Sequence, residues 1–174
     1  MSKKERKTTR IPVGISSCLL GQPVRFDGGH KYHAYVNRRL ADFFEFKPFC
    51  PEVAIGLGTP RPPIRLVRMA DGNHVRGVKN PEQDVTAKLD AYGQKVAARE
   101  DGLCGYIFKS RSPSCGMERV KTYREDGMPG KSDGIGAYAG AIMQAHPNLP
   151  VEEEGRLNDP DLRDNFIERV FTWY

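Results

Sequence analysis

Ile11-Pro12-Val13-Gly14-Ile15-Ser16-Ser17-Cys18-Leu19-Leu20-Gly21 is the stretch on which the fold turns. Its first seven residues are apolar and rich in β-branched side chains, so they read as a buried strand that delivers Cys18 at its carboxyl end. The same pattern recurs twice. Glu45–Cys50 (EFKPFC) predicts a second strand ending on a cysteine, although Pro48 removes one ladder donor. Leu103–Lys109 (LCGYIFK) predicts a third, which runs into Ser110-Arg111-Ser112-Pro113-Ser114-Cys115. Helices fill the intervals. Tyr32, Tyr35, Val36, Leu40 and Phe43 recur near helical spacing over about 31–44. Asn80-Pro81, an N-cap followed by proline at the first helical position, opens another that Val85, Leu89, Tyr92, Val96 and Ala97 carry to about Glu100.

Outward from these strands, Ile64–Met69 and His74–Val78 flank Asp71-Gly72-Asn73 and predict a β-hairpin. Residues 117–133, with Gly127, Met128, Pro129 and Gly130, read as a mobile connection. A helix bearing Ile135, Ala139, Ile142 and Met143 opens at Ser132-Asp133-Gly134, and Leu149–Glu152 forms a last strand. Asp159–Tyr174 is amphipathic, with Leu162, Phe166, Ile167 and Val170 on one face. This alternation predicts an α/β fold, a three-layer Rossmann-like domain with a mainly parallel sheet plus a β-hairpin insertion. Such sheets bind ligands beyond the carboxyl ends of their strands, where the three cysteine blocks converge.

At 174 residues the chain suits one domain with a sufficient apolar core, so a metal here is functional before it is structural. Met1–Arg10 (MSKKERKTTR) lacks the apolar centre of a secretory signal, and no apolar run approaches membrane-spanning length. The expected location is cytoplasmic, with reduced thiols and no membrane partner. Charge is unevenly spread. Residues 1–10, expected to be a disordered basic arm, carry a net +4, whereas residues 150–174 carry −4. Between 61 and 79, Arg61, Arg65, Arg68, Arg76 and Lys79 face one acid, Asp71. Such a stripe suits a phosphate-bearing partner, and equally a solvated hairpin face.

Cys18, Cys50 and Cys115 sit in loops rich in Gly, Pro and Ser, while Cys104 lies in an apolar run and reads as an inert buried thiol. Three thiolates are one too few for a closed tetrahedral site and leave a metal vertex open. Zinc is the rival metal, with His30, His33, His74 or His146 as fourth ligand, but no paired C-x-x-C or H-x-x-x-H spacing occurs. Three ordinary buried thiols are the bland alternative. Glu52, two residues after Cys50, is placed to accept a proton from water, although a loop glutamate is more often solvated or capping. Ser110, Ser112 and Ser114 approach the third cysteine with hydroxyls that either serve a substrate or bond their own turn. Gly134-x-Gly136, before a helix, is a weak anion-binding signal.

Taken together, Ser17-Cys18-Leu19-Leu20-Gly21 with Val24-Arg25-Phe26-Asp27-Gly28, Cys50-Pro51-Glu52-Val53, Pro60-Arg61-Pro62-Pro63, Lys109–Gly116 and Asp133-Gly134 resemble the TudS-like thiouracil desulfidase family. The resemblance covers residues 11–150. Leu157–Pro160 through Phe166–Val170 looks like the connector of longer, RudS-type tRNA 4-thiouridine desulfidases, which add a second domain. On that basis 11–155 is the desulfidase domain, and 156–174 a terminal helix leading toward a second domain absent from this chain.

What the resemblance implies is a [4Fe-4S] cluster on Cys18, Cys50 and Cys115 with the fourth iron open. Glu52 activates water, Ser112 assists proton transfer, and Ser110, Ser114, Arg25, Asp27, Arg61 and Asp133 bind substrate. The implied reaction is non-redox hydrolytic desulfidation of a thiolated uracil base, nucleoside or nucleotide, most readily 4-thiouridine in tRNA, releasing hydrogen sulfide. Two other classes remain open at this level: an iron–sulfur carrier of sulfur or electrons in which Glu52 is incidental, and a non-catalytic tRNA-binding module using the 61–79 stripe.

Overall fold

The computed structural model describes residues 9–99 and 102–174. Most of the basic start of the chain, and the expected helix end at Glu100, lie outside the described residues. In chain order the strands are β1 (Ile11–Ser16), β2 (Phe44–Phe49), β3 (Ile64–Met69), β4 (Gly72–Gly77), β5 (Tyr106–Phe108), β6 (Val120–Tyr123), β7 (Pro129–Gly134) and β8 (Val151–Glu153). The α-helices are α1 (Ala34–Arg38), α2 (Pro51–Ala54), α3 (Thr86–Ala97), α4 (Ala137–Ala145) and α5 (Pro160–Trp173).

The first sheet has the order β2-β1-β5-β8, and all its pairings are parallel. Its strands alternate between two cores. Ile11, Val13, Ile15 and Ile107 join Val36 of α1 and Phe166 and Val170 of α5 on one face. Tyr106 and Phe108 join Leu89 and Val96 of α3 and Tyr138 and Ile142 of α4 on the other. That is the expected three-layer arrangement. Gly14 is fixed by packing, because a Cβ there would stand 2.4 Å from the Tyr106 ring. The terminal helix contributes fully buried side chains, so it closes one face of the sheet.

Beside this sheet lies a second one, ordered β4-β3-β6-β7, which mixes antiparallel hairpins with a parallel β3–β6 contact. The predicted hairpin is therefore half of a sheet rather than a separate insertion. Residues 117–133, read from sequence as a mobile connection, supply the other half. Val120 and Thr122 face inward, and Gly127, at φ 85°, forms the tight turn between the strands. Turn residues were visible, but β6 is only four residues long and five of the six in β7 are exposed, so no apolar alternation marked them.

Three helix starts also move, the last because Ser132-Asp133-Gly134, expected to open a helix, belongs to β7 and α4 begins at Ala137. Lys31 and His33 donate backbone bonds to the carbonyls of Cys18 and Leu19, which holds that segment extended until α1 begins at Ala34. Asn80 folds into a local turn, its side chain accepting from Glu82 N–H, so α3 starts at Thr86 instead of Pro81. Conversely, Pro51–Ala54, expected as loop, makes one helical turn with proline at its start. No helix among the described residues is long and apolar enough to cross a membrane.

Candidate active site

Each cysteine loop leaves the carboxyl end of a first-sheet strand, and the three loops line one cleft of about 440 Å³. After β1, Ser17–Leu20 makes a single 3₁₀ turn that closes at Gly21, whose φ of 88° is one that side chains resist. This turn carries Cys18. After β2, Cys50 precedes α2 and its Sγ lies 3.8 Å from the Val24 carbonyl. After β5, Arg111 adopts φ 63°, and the Ser112 Oγ accepts N–H bonds from Ser114 (3.2 Å) and Cys115 (3.0 Å).

Helix α4 secures this third loop. The N–H groups of Ala137, Tyr138 and Ala139 donate to the carbonyls of Pro113 and Ser114. Gly136 permits the approach, since a Cβ there would stand 2.4 Å from the Ser114 carbonyl oxygen. The free N–H groups of the helix are thus taken by the loop, and the expected Gly134-x-Gly136 anion cradle is a loop clamp. Ser16, at the end of β1, accepts the Lys109 N–H at 2.9 Å and ties the first and third loops together.

Glu52 projects from α2 into the same cleft. Arg61 donates to its Oε2 from Nε at 2.8 Å and approaches the same oxygen with Nη2 at 2.7 Å, and both side chains are largely buried. The other oxygen accepts from Ser114 Oγ at 2.9 Å, and Ser114 Oγ lies 3.0 Å from Ser112 Oγ. Because the Ser112 oxygen already accepts two backbone bonds and Ser114 donates to Glu52, the Ser112 hydroxyl donates to Ser114. A short hydroxyl chain therefore ends on the carboxylate, with Ser114 in contact and Ser112 one bond removed.

Of the other residues singled out from sequence, Arg25 and Ser110 line the cleft. Asp27 and Asp133 do not. Asp27 accepts the Gly29 N–H within its own turn at 2.8 Å, and Asp133 on β7 pairs with Arg68 at 2.6 Å. None of the four histidines lines the cleft either: His74 bonds Asp71 and Asp84, and His146 bonds the Ala97 carbonyl. Cys104 is buried away from it, within the apolar core.

Lys109 and Glu154 were missed. Glu154, following β8, accepts from Lys109 Nζ (2.8 Å), Ser110 Oγ (2.6 Å) and Ser110 N–H (2.8 Å), so the Ser110 hydroxyl is already engaged. Burial pushes the Glu154 carboxyl up, but the bonds from Lys109 and Ser110 outweigh it and hold the group below its ordinary value. Its neighbour Glu153 accepts from Met117 N–H at 3.0 Å, and burial there prevails and raises its carboxyl. The available signal was Glu152-Glu153-Glu154 directly after an apolar strand: consecutive acids there are not all solvent-facing.

Burial raises the thiols of Cys18, Cys50 and Cys115, while Arg25 and Lys109 beside Cys18 and Arg61 beside Cys50 pull the other way. Three desolvated thiols, two of them near fixed cations, favour a thiolate only when a metal takes up its charge, and the donor set fits an iron–sulfur cluster on that account. Among the described residues no three or more His, Cys, Asp or Glu gather closely enough to hold a single metal ion.

The profile of the 2-thiouracil desulfurase family matches residues 13–154, and the chain belongs to that family. It is similar to the uncharacterized protein YbbK of Bacillus subtilis (strain 168), 31% identical over 156 residues, covering 83% of this chain and 97% of that one. Among solved structures it is similar to the [4Fe-4S]-dependent thiouracil desulfidase TudS, with a TM-score of 0.66, 32% identity, and coverage of 91% of this chain and 99% of that one.

Proposed function

We propose that this chain is a [4Fe-4S]-dependent desulfidase that hydrolyses thiolated uracil, with 4-thiouridine in tRNA or as a nucleoside the preferred form, giving uridine and hydrogen sulfide. The observation that carries the reading is Glu52, set in the three-cysteine cleft and held by Arg61 on one oxygen and Ser114 on the other. Family membership and the likeness to TudS support the chemistry.

Cys18, Cys50 and Cys115 would hold the cluster. When bound, it supplies a soft iron with an open position that polarises and accepts sulfur. The protein's own groups do the rest. Glu52 takes a proton from the attacking water, and Arg61 keeps its carboxylate aimed into the cleft. Ser114, fed by Ser112, carries a proton between Glu52 and the departing group. Arg25 lines the cleft without an ion pair among the described residues and contacts the polar edge of the substrate. A carbon–oxygen bond forms as the carbon–sulfur bond breaks, both protons of water leave with the sulfur as H₂S, and no electron is gained or lost.

The test is anaerobic purification with counts of iron and acid-labile sulfide, for the native chain and for Cys18→Ser, Cys50→Ser and Cys115→Ser. Sulfide release from 4-thiouridine is measured alongside. Cluster loss in each variant and turnover only in the native chain are expected; a colourless zinc protein sinks the proposal. The sulfur-carrier reading separates through Glu52→Gln, which as a carrier would keep cluster and sulfide exchange unchanged.

A further inference from the structure

We infer that the outer face of the second sheet, centred on Arg65 and Arg76, is a docking surface for the phosphate backbone of an RNA strand. This rests on the thiolated-uridine reading of the cleft and adds how a polymeric substrate is held beside it. Charge imbalance is the first ground. Within the four strands the basic residues are Arg65, Arg68, Arg76, Lys121 and Lys131, the one acid is Asp133, and Arg68 already holds that acid.

The placement of the cations is the second ground. Arg65 on β3 stands directly opposite Arg76 on β4, a like-charge cross-strand pair that costs stability unless something neutralises it. Neither makes an ion pair among the described residues, and the Nε of each is covered with no hydrogen-bond partner. Arg65 lies over the Tyr123 ring, 4.5 Å from its centroid, and Lys121 Nζ lies 5.2 Å from the same ring. Arg76 Nη1 meets only the Met69 sulfur, at 3.8 Å. The neighbouring carboxylates are engaged elsewhere: Asp71 and Asp84 bond His74, and Asp126 pairs with Arg124.

Nucleic-acid backbone is the polyanion these groups fit. Two guanidinium planes anchored side by side on a sheet present forks matched to phosphate oxygens. β3 begins at Ile64, which lines the cleft and faces inward with Leu66, whereas Arg65 and Arg76 turn to the opposite face at that same end of the hairpin. With Tyr123 already covered by Arg65 and Lys121, the face offers charge rather than a stacking platform, so binding is insensitive to base sequence and sensitive to salt.

The test uses cluster-loaded full chain and a fluorescein-labelled RNA oligonucleotide without thiolated bases, titrated by fluorescence anisotropy at several salt concentrations. Arg65→Ser/Arg76→Ser should weaken binding at low salt by about tenfold or more and lower the slope of log K against log salt by roughly 1.4–1.8, the share of two phosphates. Arg65→Lys/Arg76→Lys should keep most of that slope, which separates lost charge from a misfolded sheet. Unchanged affinity and slope in the serine variant overturn the proposal. So does polyglutamate competing as well as unlabelled RNA. Desulfidation of free 4-thiouridine, which has no backbone to dock, should be the same in native and serine variants. If native protein releases no sulfide yet the binding results hold, the catalytic reading falls and the docking surface stands.

Discussion

The two sheets treat positive charge in opposite ways. At the carboxyl ends of the first, the buried Arg61 and the half-buried Lys109 are bound to Glu52 and Glu154, so each cation fixes a carboxylate and a loop. On the second, Arg65 and Arg76 lie side by side with covered, unpartnered Nε atoms. Paired and desolvated, a charge holds geometry to the tolerance that catalysis requires. Left unpaired on an accessible face, it attracts a mobile partner and contributes little to local rigidity.

Breaking the paired side gives the largest effect. Glu52→Gln removes the proton acceptor and leaves Arg61 buried without its anion. Turnover of 4-thiouridine should fall by about 10²–10⁴-fold, the usual range for a general base, while iron and acid-labile sulfide contents stay near native values. Retained turnover would remove Glu52 from the reaction and, with it, the meaning given to the Arg61 pair.

Next comes the clamp between α4 and the third cysteine loop. Gly136→Ala would push a Cβ to within 2.4 Å of the Ser114 carbonyl. The expected cost is about 1–3 kcal/mol of stability by denaturant unfolding, with weaker cluster retention because Cys115 must shift. Gly155→Ala is the control: its Cβ meets nothing within 4 Å, so its effect should stay within about 0.5 kcal/mol. Equal effects at the two glycines would mean that the loop is not held by close approach.

A smaller loss is expected from Ser114→Ala, which deletes the hydroxyl between Ser112 and Glu52. Stability should drop by about 0.5–1.5 kcal/mol, and turnover should fall with little change in KM, because a proton passed to the departing group matters to the reacting step more than to binding. Ser112→Ala should act more on the turn itself, since its oxygen accepts the Ser114 and Cys115 N–H groups. A fall in stability without change in turnover for both variants would make the hydroxyl chain purely structural.

The same contrast explains what the sequence revealed. Strands β1 and β5 are buried on both faces and appear as short apolar runs, β2 at the sheet edge is buried at Phe44 and Phe49, and the turn-rich segments after all three marked the site. The three cysteines, Glu52, Arg61 and the serines were legible for that reason. The second sheet was legible only in its hairpin. β7 (PGKSDG) buries just Gly134, and no local pattern distinguishes such a strand from a loop. Glu154 was hidden for a different reason: an acid run implies solvent, and its burial depends on Lys109, a residue 45 positions away. Pairings across that distance are made by topology, which propensity does not encode.

The mildest way to sharpen the comparison is through His74, where the second sheet does hold a charge. Its Nδ1 lies 2.6 Å from Asp84 and its Nε2 2.8 Å from Asp71, joining the β3–β4 turn to the start of α3. Hydrogen bonds to Asp84 and then Asp71 raise the imidazole above its ordinary value of 6.5. A raised value means that the folded state binds the proton more tightly, so the stabilisation is fully present below the ordinary histidine value and is lost as pH rises through the folded one. For Asp84, burial acts upward, but the Thr86 and His74 bonds outweigh it and lower the carboxyl, so its contribution disappears only as pH falls through that lowered value. The difference in Tm between native chain and His74→Gln should therefore be largest in mildly acidic buffer and shrink as pH rises through the raised histidine value, by little in absolute terms because the pair is partly solvated. A difference that stays flat, or grows with pH, would show that His74 holds the hairpin by packing alone and that the second sheet depends on no charge pair there.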